Sequence, residues 1–251
     1  ALDDLKIADN TIVIFTTDNG PNAFTWPDAA TTPFRSEKDT NWEGAFRVPA
    51  MVRWPGHVKS GSVGNGIVSG LDWFPTLVAA AGDPDVKDRL LKGWQPTGST
   101  TTFRDHLDGF NQLDYITGKT DKSARNEFYY FNDDGDLVAM RTGDWKFVFE
   151  KQEQPGQFDV WAHPFTPLRV PKMFNLRMDP YEHAEISGSG YDQWRVDNVY
   201  LAFLGAMKAG AFLETFVDYP PSQRPASFSI DQIRRQVDKK IDESFRKRGL
   251  E

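Results

Sequence analysis

The sequence predicts an α/β fold over residues 1–125, joined to a small antiparallel sheet with helices over residues 126–251. Three observations predict it. Thr11–Thr17 (TIVIFTT) is a continuous β-branched and aromatic run, the pattern of a strand covered on both faces. It follows what reads as a helix end and a short turn, the element order of α/β proteins. Farther along, Asp133-Asp134-Gly135 separates two short apolar runs, a hairpin signal that belongs to antiparallel sheets.

The composition is that of an ordinary globular chain. Of 251 residues, 39% are hydrophobic and 26% charged, enough for one large domain or two smaller ones. The net charge of −7 argues against a nucleic-acid coat or a basic membrane anchor, since both need surplus Lys and Arg. No run approaches 18 consecutive apolar residues, so no membrane span is expected. No basic stretch leads into an apolar one at the start, so no secretory signal is visible, and periplasm and cytoplasm both stay open. The absence of Cys excludes disulfide scaffolds, thiolate zinc sites and cysteine nucleophiles.

Each element has its own signal. Leu2, Leu5 and Ile7, followed by Asp9-Asn10, read as a helix end cut from its start. The strand after it stops at Asp18-Asn19-Gly20-Pro21. Ligands of open α/β sheets bind outside the C-terminal ends of strands, so Asp18 and Asn19 stand where function is plausible. The same residues are also common turn chemistry, the reading that position and residue type alone favour. Residues 21–45 read as a long loop carrying Trp26, Arg35, Glu37, Lys38, Asp39, Trp42 and Glu43. Residues 46–54 form a second strand, with Pro49 marking an edge or a break. The glycines of residues 60–66 (SGSVGNG) stand in the wrong order for a dinucleotide fingerprint. Asp72 is expected to cap a core helix that runs to Ala81 and ends at Gly82, with Trp73, Leu77 and Ala80 on one face.

Residues 83–125 read as a polar connecting segment. Strands are expected at Glu127–Phe131, Asp136–Met140 and Asp144–Glu150, with a fourth around Phe174–Leu176. The acidic cluster Asp133, Asp134 and Asp136 misses the calcium-loop spacing and reads as a turn. A helix fits residues 195–213. Another follows Ser229-x-x-Gln232, a capping box, with Ile230, Ile233, Val237, Ile241 and Phe245 at helical spacing. Arg246-Lys247-Arg248 suit the end of that helix before Gly249. His57, His106, His163 and His183 are not spaced to pair as metal ligands.

Chemistry concentrates near the first strand. An Asp–Asn pair offers one charged and one neutral oxygen to a hard metal, too few alone for calcium. Lys38, 20 positions after Asp18, is a compact positive charge suited to clamping sulfate or phosphate. As a lone loop lysine it is also an ordinary solvated charge.

Four segments then carry a family resemblance. Thr11–Pro21 (TIVIFTTDNGP), Pro33–Pro49 (PFRSEKDTNWEGAFRVP), Val52–Gly56 (VRWPG) and Ser69–Gly82 (SGLDWFPTLVAAAG) resemble the formylglycine-dependent sulfatases of the arylsulfatase type. Asn175–Glu182 (NLRMDPYE) is similar to the family's N-L-x-x-D-P-x-E segment. The resemblance implies part of an alkaline-phosphatase-like mixed sheet flanked by helices, plus a small C-terminal antiparallel sheet. It implies hydrolysis of an aryl or sugar sulfate ester at a calcium-centred site. Asp18 and Asn19 match metal ligands. Lys38 matches the lysine that binds sulfate and helps the ester oxygen leave. Trp42-Glu43-Gly44 match the segment packed around that loop.

There are departures. The family's R-G-G-K-G reads Arg35-Ser36-Glu37-Lys38-Asp39, so acidic residues replace the glycines beside the lysine. The family's nucleophile is a formylglycine made from Cys or Ser in a C/S-x-P-x-R motif. This chain has no Cys and no Ser-x-Pro. Thr31-Thr32-Pro33-Phe34-Arg35 imitates the motif, but oxidised threonine is a ketone and the position follows the Asp–Asn pair instead of preceding it. The family's upstream aspartates and catalytic histidines have no counterpart either. The chain therefore reads as the C-terminal portion of a sulfatase, with formylglycine and the N-terminal half outside it and some self-association expected. A phosphonate or phosphodiester hydrolase of the same superfamily, or a non-catalytic stable module, are the alternatives.

Overall fold

The β-branched run after Thr11 does form a strand, but a lightly covered one. In the computed structural model, which describes residues 1–26, 28, 31–221 and 231–248, β1 spans Val13–Thr16. Its partner comes after a helical turn, α1 (Glu43–Phe46): β2 (Ala50–Arg53) pairs with β1 antiparallel, Phe15 facing Met51. Pro49 sits just before β2, where a missing N–H disturbs no ladder. Phe15 is 58% exposed and Met51 60%. The run therefore encodes two covered faces, while the described chain supplies only one paired edge. Residues 1–10 are also not an α-helix. They form turns and a 3-10 helix, Ala8–Asn10, which leaves Leu5 and Ile7 exposed because no second turn stacks behind them.

The next helix, α2, spans Trp73–Ala80, and its cap differs from expectation. Ser69 caps the preceding 3-10 turn in a reciprocal box with Asp72. Asp72 closes the box, its Oδ2 accepting from Ser69 N at 2.9 Å, and its carboxylate takes further donors as well. It accepts from Phe110 N at 2.8 Å, Gln112 Nε2 at 3.1 Å and Arg125 Nη2 at 2.6 Å. These donors, Arg125 above all, hold it below the usual carboxylate range against the opposing effect of burial. The buried side of α2 is Pro75, Thr76 and Ala79, whereas Phe74 and Leu77 stand exposed. The expected core face is therefore wrong. Residues 83–125 hold two short helices, α3 (Val86–Lys92) and α4 (Leu113–Ile116), where only a connection was expected. Four of the seven residues of α3 are charged and α4 is a single turn, so neither shows a periodicity.

The second half follows its signals more closely. β3 (Glu127–Phe131), β4 (Leu137–Thr142) and β5 (Trp145–Gln152) form a meander. A turn of helix, α5 (Asp159–Ala162), leads into β6 (Phe165–Asn175), far longer than the three residues expected of it. The order is β3-β4-β5-β6, antiparallel throughout. Pro167 and Pro171 lie in β6 because it is an edge strand. Then come α6 (Ala184–Ser187), α7 (Tyr191–Asp197), α8 (Val199–Asp218) and α9 (Asp231–Lys247). Ser229 and Ile230 of the capping-box expectation, and Gly249, lie outside the described residues.

The four-stranded sheet is covered on both faces. Tyr130, Val148 and Phe174 pack against Trp42 with Phe46 at the margin. Met140, Phe147 and Met173 pack against Ala202 and Ala209 of α8. Gly205 permits that approach, since a Cβ there would lie 2.6 Å from the Phe147 ring. α8 contains no unbroken 18-residue apolar run; by length and composition alone it is apolar enough to cross a membrane, and its Ala202, Gly205 and Ala209 are buried.

Candidate active site

The candidate residues sit on two backbones pressed together. Gly20 N donates to Ala45 O at 2.8 Å, and Lys38 N donates to Pro21 O at 2.9 Å. The Asp18–Pro21 turn thus lies between the Lys38 loop and α1. Gly20 is required there, because a Cβ would stand 1.7 Å from Gly44 O. Asp18 is exposed, and its Oδ1 accepts from Asn19 N at 3.0 Å and from Thr17 Oγ1 at 3.2 Å. The Asn19 amide donates to Gly20 O at 2.8 Å. A carboxylate and an amide oxygen are donors suited to a hard cation. Among the described residues, no group of three or more His, Asp or Glu gathers to complete a metal site.

Lys38 has Nζ 5.3 Å from the Trp161 ring centroid, a cation–π contact, and makes no ion pair among the described residues. Its neighbours keep the conformation that glycines would favour. Ser36 has φ +62° and Asp39 φ +66°. Ser36 Oγ donates to Pro155 O at 2.8 Å, which anchors the strained turn. Asp39 is pushed up to about 6 by burial, reinforced by Asp133 and opposed by Lys38. Its Oδ2 is buried without a hydrogen-bond partner among the described residues.

The loop is fastened to the C-terminal sheet by buried groups, of which the sequence did not single out Lys146 and Tyr130. Glu43, on α1, is almost fully buried. Its Oε1 accepts from Tyr130 Oη at 2.7 Å and from Lys146 Nζ at 3.1 Å, and its N–H donates to Glu182 Oε2 at 2.7 Å. Lys146 Nζ also lies 2.8 Å from Glu182 Oε1, a buried ion pair. Burial raises the Glu43 carboxyl, but Lys146, Tyr130 and Arg141 together bring it below the usual range. Glu182 moves up, because burial and the Glu43 charge outweigh Lys146. Arg35 completes the joint. Its guanidinium stacks 3.4 Å from the Trp42 ring centroid and pairs with Glu185 Oε2 at 3.0 Å. Arg35, Trp42, Glu43 and Glu182 lie in the segments that carry the family resemblance, whereas Lys146 shows only as a charge inside an expected strand.

This combination of fold and motifs defines a sulfatase-type chain. Residues 1–83 match the family model described as Sulfatase. Human arylsulfatase A is 32% identical over 200 residues, spanning 75% of this chain and 36% of that protein. Human N-acetylgalactosamine-6-sulfatase is 43% identical over 204 residues, spanning 74% of this chain and 35% of that protein. The crystal structure of the PsFucS1 sulfatase from Pseudoalteromonas sp. has a TM-score of 0.67 at 28% identity, covering 89% of this chain and 40% of that one. The chain belongs to the sulfatase family and covers the C-terminal portion of these relatives. It spans little more than a third of the length of the curated proteins it matches.

Proposed function

We propose that this chain forms the C-terminal portion of a sulfuric ester hydrolase of the arylsulfatase type. The observation that carries the reading is the Lys38 N–H donating to Pro21 O at 2.9 Å, which joins the anion-binding candidate to the Asp18–Asn19 turn. In the same reading residues 1–125 belong to the catalytic α/β domain and residues 126–251 to a sheet subdomain that supports it.

Asp18 and Asn19 are assigned as ligands of calcium, which the oxygen donors fit as part of a larger set. When bound, calcium supplies positive charge to the sulfate oxygens. Lys38 binds the sulfate as a point charge and stabilises the negative charge that develops on the ester oxygen as the S–O bond breaks. Held on Trp161, its ammonium needs little reorganisation to meet an anion. The formylglycine nucleophile is assigned to the part of the family fold that these residues do not include, since the chain has neither Cys nor Ser-x-Pro.

The test is a chimera in which this chain replaces the aligned segment of human arylsulfatase A. Turnover of a chromogenic aryl sulfate, lost in Asp18→Ala and reduced at least 100-fold in Lys38→Ala, supports the assignments. An active chimera indifferent to both substitutions overturns them.

A further inference from the structure

One carboxylate holds both partners of the Lys38–Trp161 contact. Glu37, directly before Lys38, is buried. Its Oε2 accepts from Ala23 N at 2.6 Å and its Oε1 from Gln157 N at 2.7 Å. Ala23 lies two residues beyond Pro21, whose carbonyl takes the Lys38 N–H. Gln157 opens the turn that leads into α5, since Val160 N donates to Gln157 O at 3.3 Å, and α5 carries Trp161. The Lys38 backbone and the helix that bears Trp161 are thus tied to the same side chain.

The surrounding backbone is arranged around this bridge. Gly156 makes room for the carboxylate, since a Cβ there would lie 2.3 Å from Glu37 Oε1. Gln157 takes φ +62°, a left-handed conformation uncommon for a residue with a side chain, and its N–H meets the carboxylate there. Gln152 Nε2 donates to Val160 O at 3.1 Å and to His163 O at 3.0 Å, which pins α5. On the lysine side, Ser36 Oγ donates to Pro155 O and Thr40 Oγ1 to Glu37 O, each at 2.8 Å. What remains free is the lysine stem, and its ammonium rests 5.3 Å from the Trp161 ring centroid.

We propose that Glu37 is a positioning residue for sulfate binding: by fixing the loop of Lys38 and the helix of Trp161 at one spacing, it presets the ammonium before an anion arrives. This rests on the reading of Lys38 as the sulfate-binding lysine. A lysine stem loses rotamer freedom when its ammonium is held on one anion. A ring that already holds the ammonium reduces that loss, provided ring and stem keep their spacing. The family pattern has glycine where Glu37 stands, and glycine would leave the Ala23 and Gln157 N–H groups without this acceptor. The departure from the pattern therefore supplies a clamp that the pattern itself does not encode.

The experiment is NMR of the full chain, read on the Lys38 side chain. Its methylene protons beside the ammonium lie over the indole and are expected upfield of exposed lysine signals. Glu37→Ala is expected to abolish that shift, and Glu37→Gln, which keeps one acceptor oxygen, to reduce it. Inorganic sulfate, titrated against chloride at matched ionic strength, is expected to move the Lys38 signals. Glu37→Ala should weaken that binding about 2- to 10-fold, the worth of one long side chain left to order on binding. Trp161→Leu, at a position 40% exposed, should weaken it by a similar factor and leave the Ala23 and Gln157 amides in place. The amides of Met140 and Val148, buried in the sheet, verify the fold. A merely structural Glu37 would lower the melting temperature and leave the Lys38 shift and the sulfate affinity of the folded chain unchanged, which overturns the proposal. Should Glu37→Ala not fold, Glu37→Gln and Trp161→Leu carry the test, and unchanged sulfate affinity in both overturns it equally. If sulfate binding is lost in Lys38→Ala but indifferent to Glu37 and Trp161, only the positioning role fails. If sulfate moves no Lys38 signal in the unsubstituted chain, the Lys38 reading fails and the proposal with it.

Discussion

Glu182 Oε2 accepts the backbone N–H of Glu43 at 2.7 Å, across 139 positions of sequence. This contact joins the C-terminal sheet to the candidate site by a short path. Glu43 opens α1, Ala45 of α1 accepts from Gly20 N, and Gly20 follows the Asp18–Asn19 pair. The C-terminal sheet thereby fixes backbone on which the proposed metal ligands stand.

Removing Glu182 is expected to leave the Glu43 N–H orphaned and Lys146 with one carboxylate instead of two. A buried donor left without its acceptor costs about 1–3 kcal/mol. Glu182→Ala should therefore destabilise by about 1–3 kcal/mol in chemical denaturation. Glu182→Gln keeps an acceptor for the N–H and should recover most of the loss. Equal losses in the two variants would show that the negative charge, and not the acceptor, carries the joint.

Asp39 gives the chain a pH dependence of unusual sign. Its carboxyl is raised from 3.8 to about 6, so the folded state holds its proton more tightly than the unfolded state. That contribution is full below pH 3.8 and is lost as pH rises to about 6. Asp39→Asn removes the ionisation and keeps a side chain that tolerates the left-handed backbone. Half-burial limits the gain to about 1 kcal/mol at pH 7.5. Thermal unfolding should show a rise of about 2–4 °C there and almost none at pH 4.

The parts legible in the sequence are those whose signals are local. The Asp133-Asp134-Gly135 turn sets β3 against β4, and β3 falls on the expected Glu127–Phe131. The Gly20 position and the family segments point to the Asp18–Pro21 turn and the Lys38 loop, which the structure places side by side. What the sequence does not reveal is which distant groups share a buried space. Lys146 is fully buried because Glu43 and Glu182 reach it from two other segments. Asp72 looks like a helix cap because its partners Phe110, Gln112 and Arg125 are tens of residues away. The Phe24–Phe158 ring contact, 5.0 Å between centroids, is hidden for the same reason, since the Glu37 carboxylate accepts from Ala23 N and Gln157 N across more than a hundred positions.

Glu185 should produce the opposite pH effect to Asp39. Burial raises it, but Lys172 and Arg35 hold it lower, at about 2 against the ordinary 4.5. The folded state thus releases the proton more readily, and this stabilisation is present above pH 4.5 and lost as pH falls to about 2. Glu185→Gln should cost about 1–2 kcal/mol at pH 7, after discounting for partial exposure, and close to nothing near pH 2. Urea midpoints at the two pH values check it, and a cost that does not shrink in acid would place the effect in packing.

The purified 251-residue chain should not hydrolyse an aryl sulfate, because no residue type able to become formylglycine stands in the required motif. It should also bind calcium weakly or not at all, since Asp18 and Asn19 supply two oxygens where calcium takes six to eight. Colorimetric turnover and calorimetry test both points. Metal-dependent turnover, or a micromolar calcium isotherm lost in Asp18→Ala, would contradict them.

The uncovered strands predict the chain's behaviour in solution. Phe15 and Met51 face one another across β1 and β2, and each is more than half exposed. A two-stranded ribbon with exposed apolar side chains is marginal by itself and invites a second surface. Concentration-dependent self-association is therefore expected in light scattering coupled to size exclusion. Phe15→Lys with Met51→Lys should shift the population toward monomer, because opposing like charges disfavour burial of that face. Leu204→Lys on α8, where the side chain is 53% exposed, serves as the comparison. If it dissolves the association and the β1–β2 pair does not, the contact lies on α8 and the argument from the open strands is wrong.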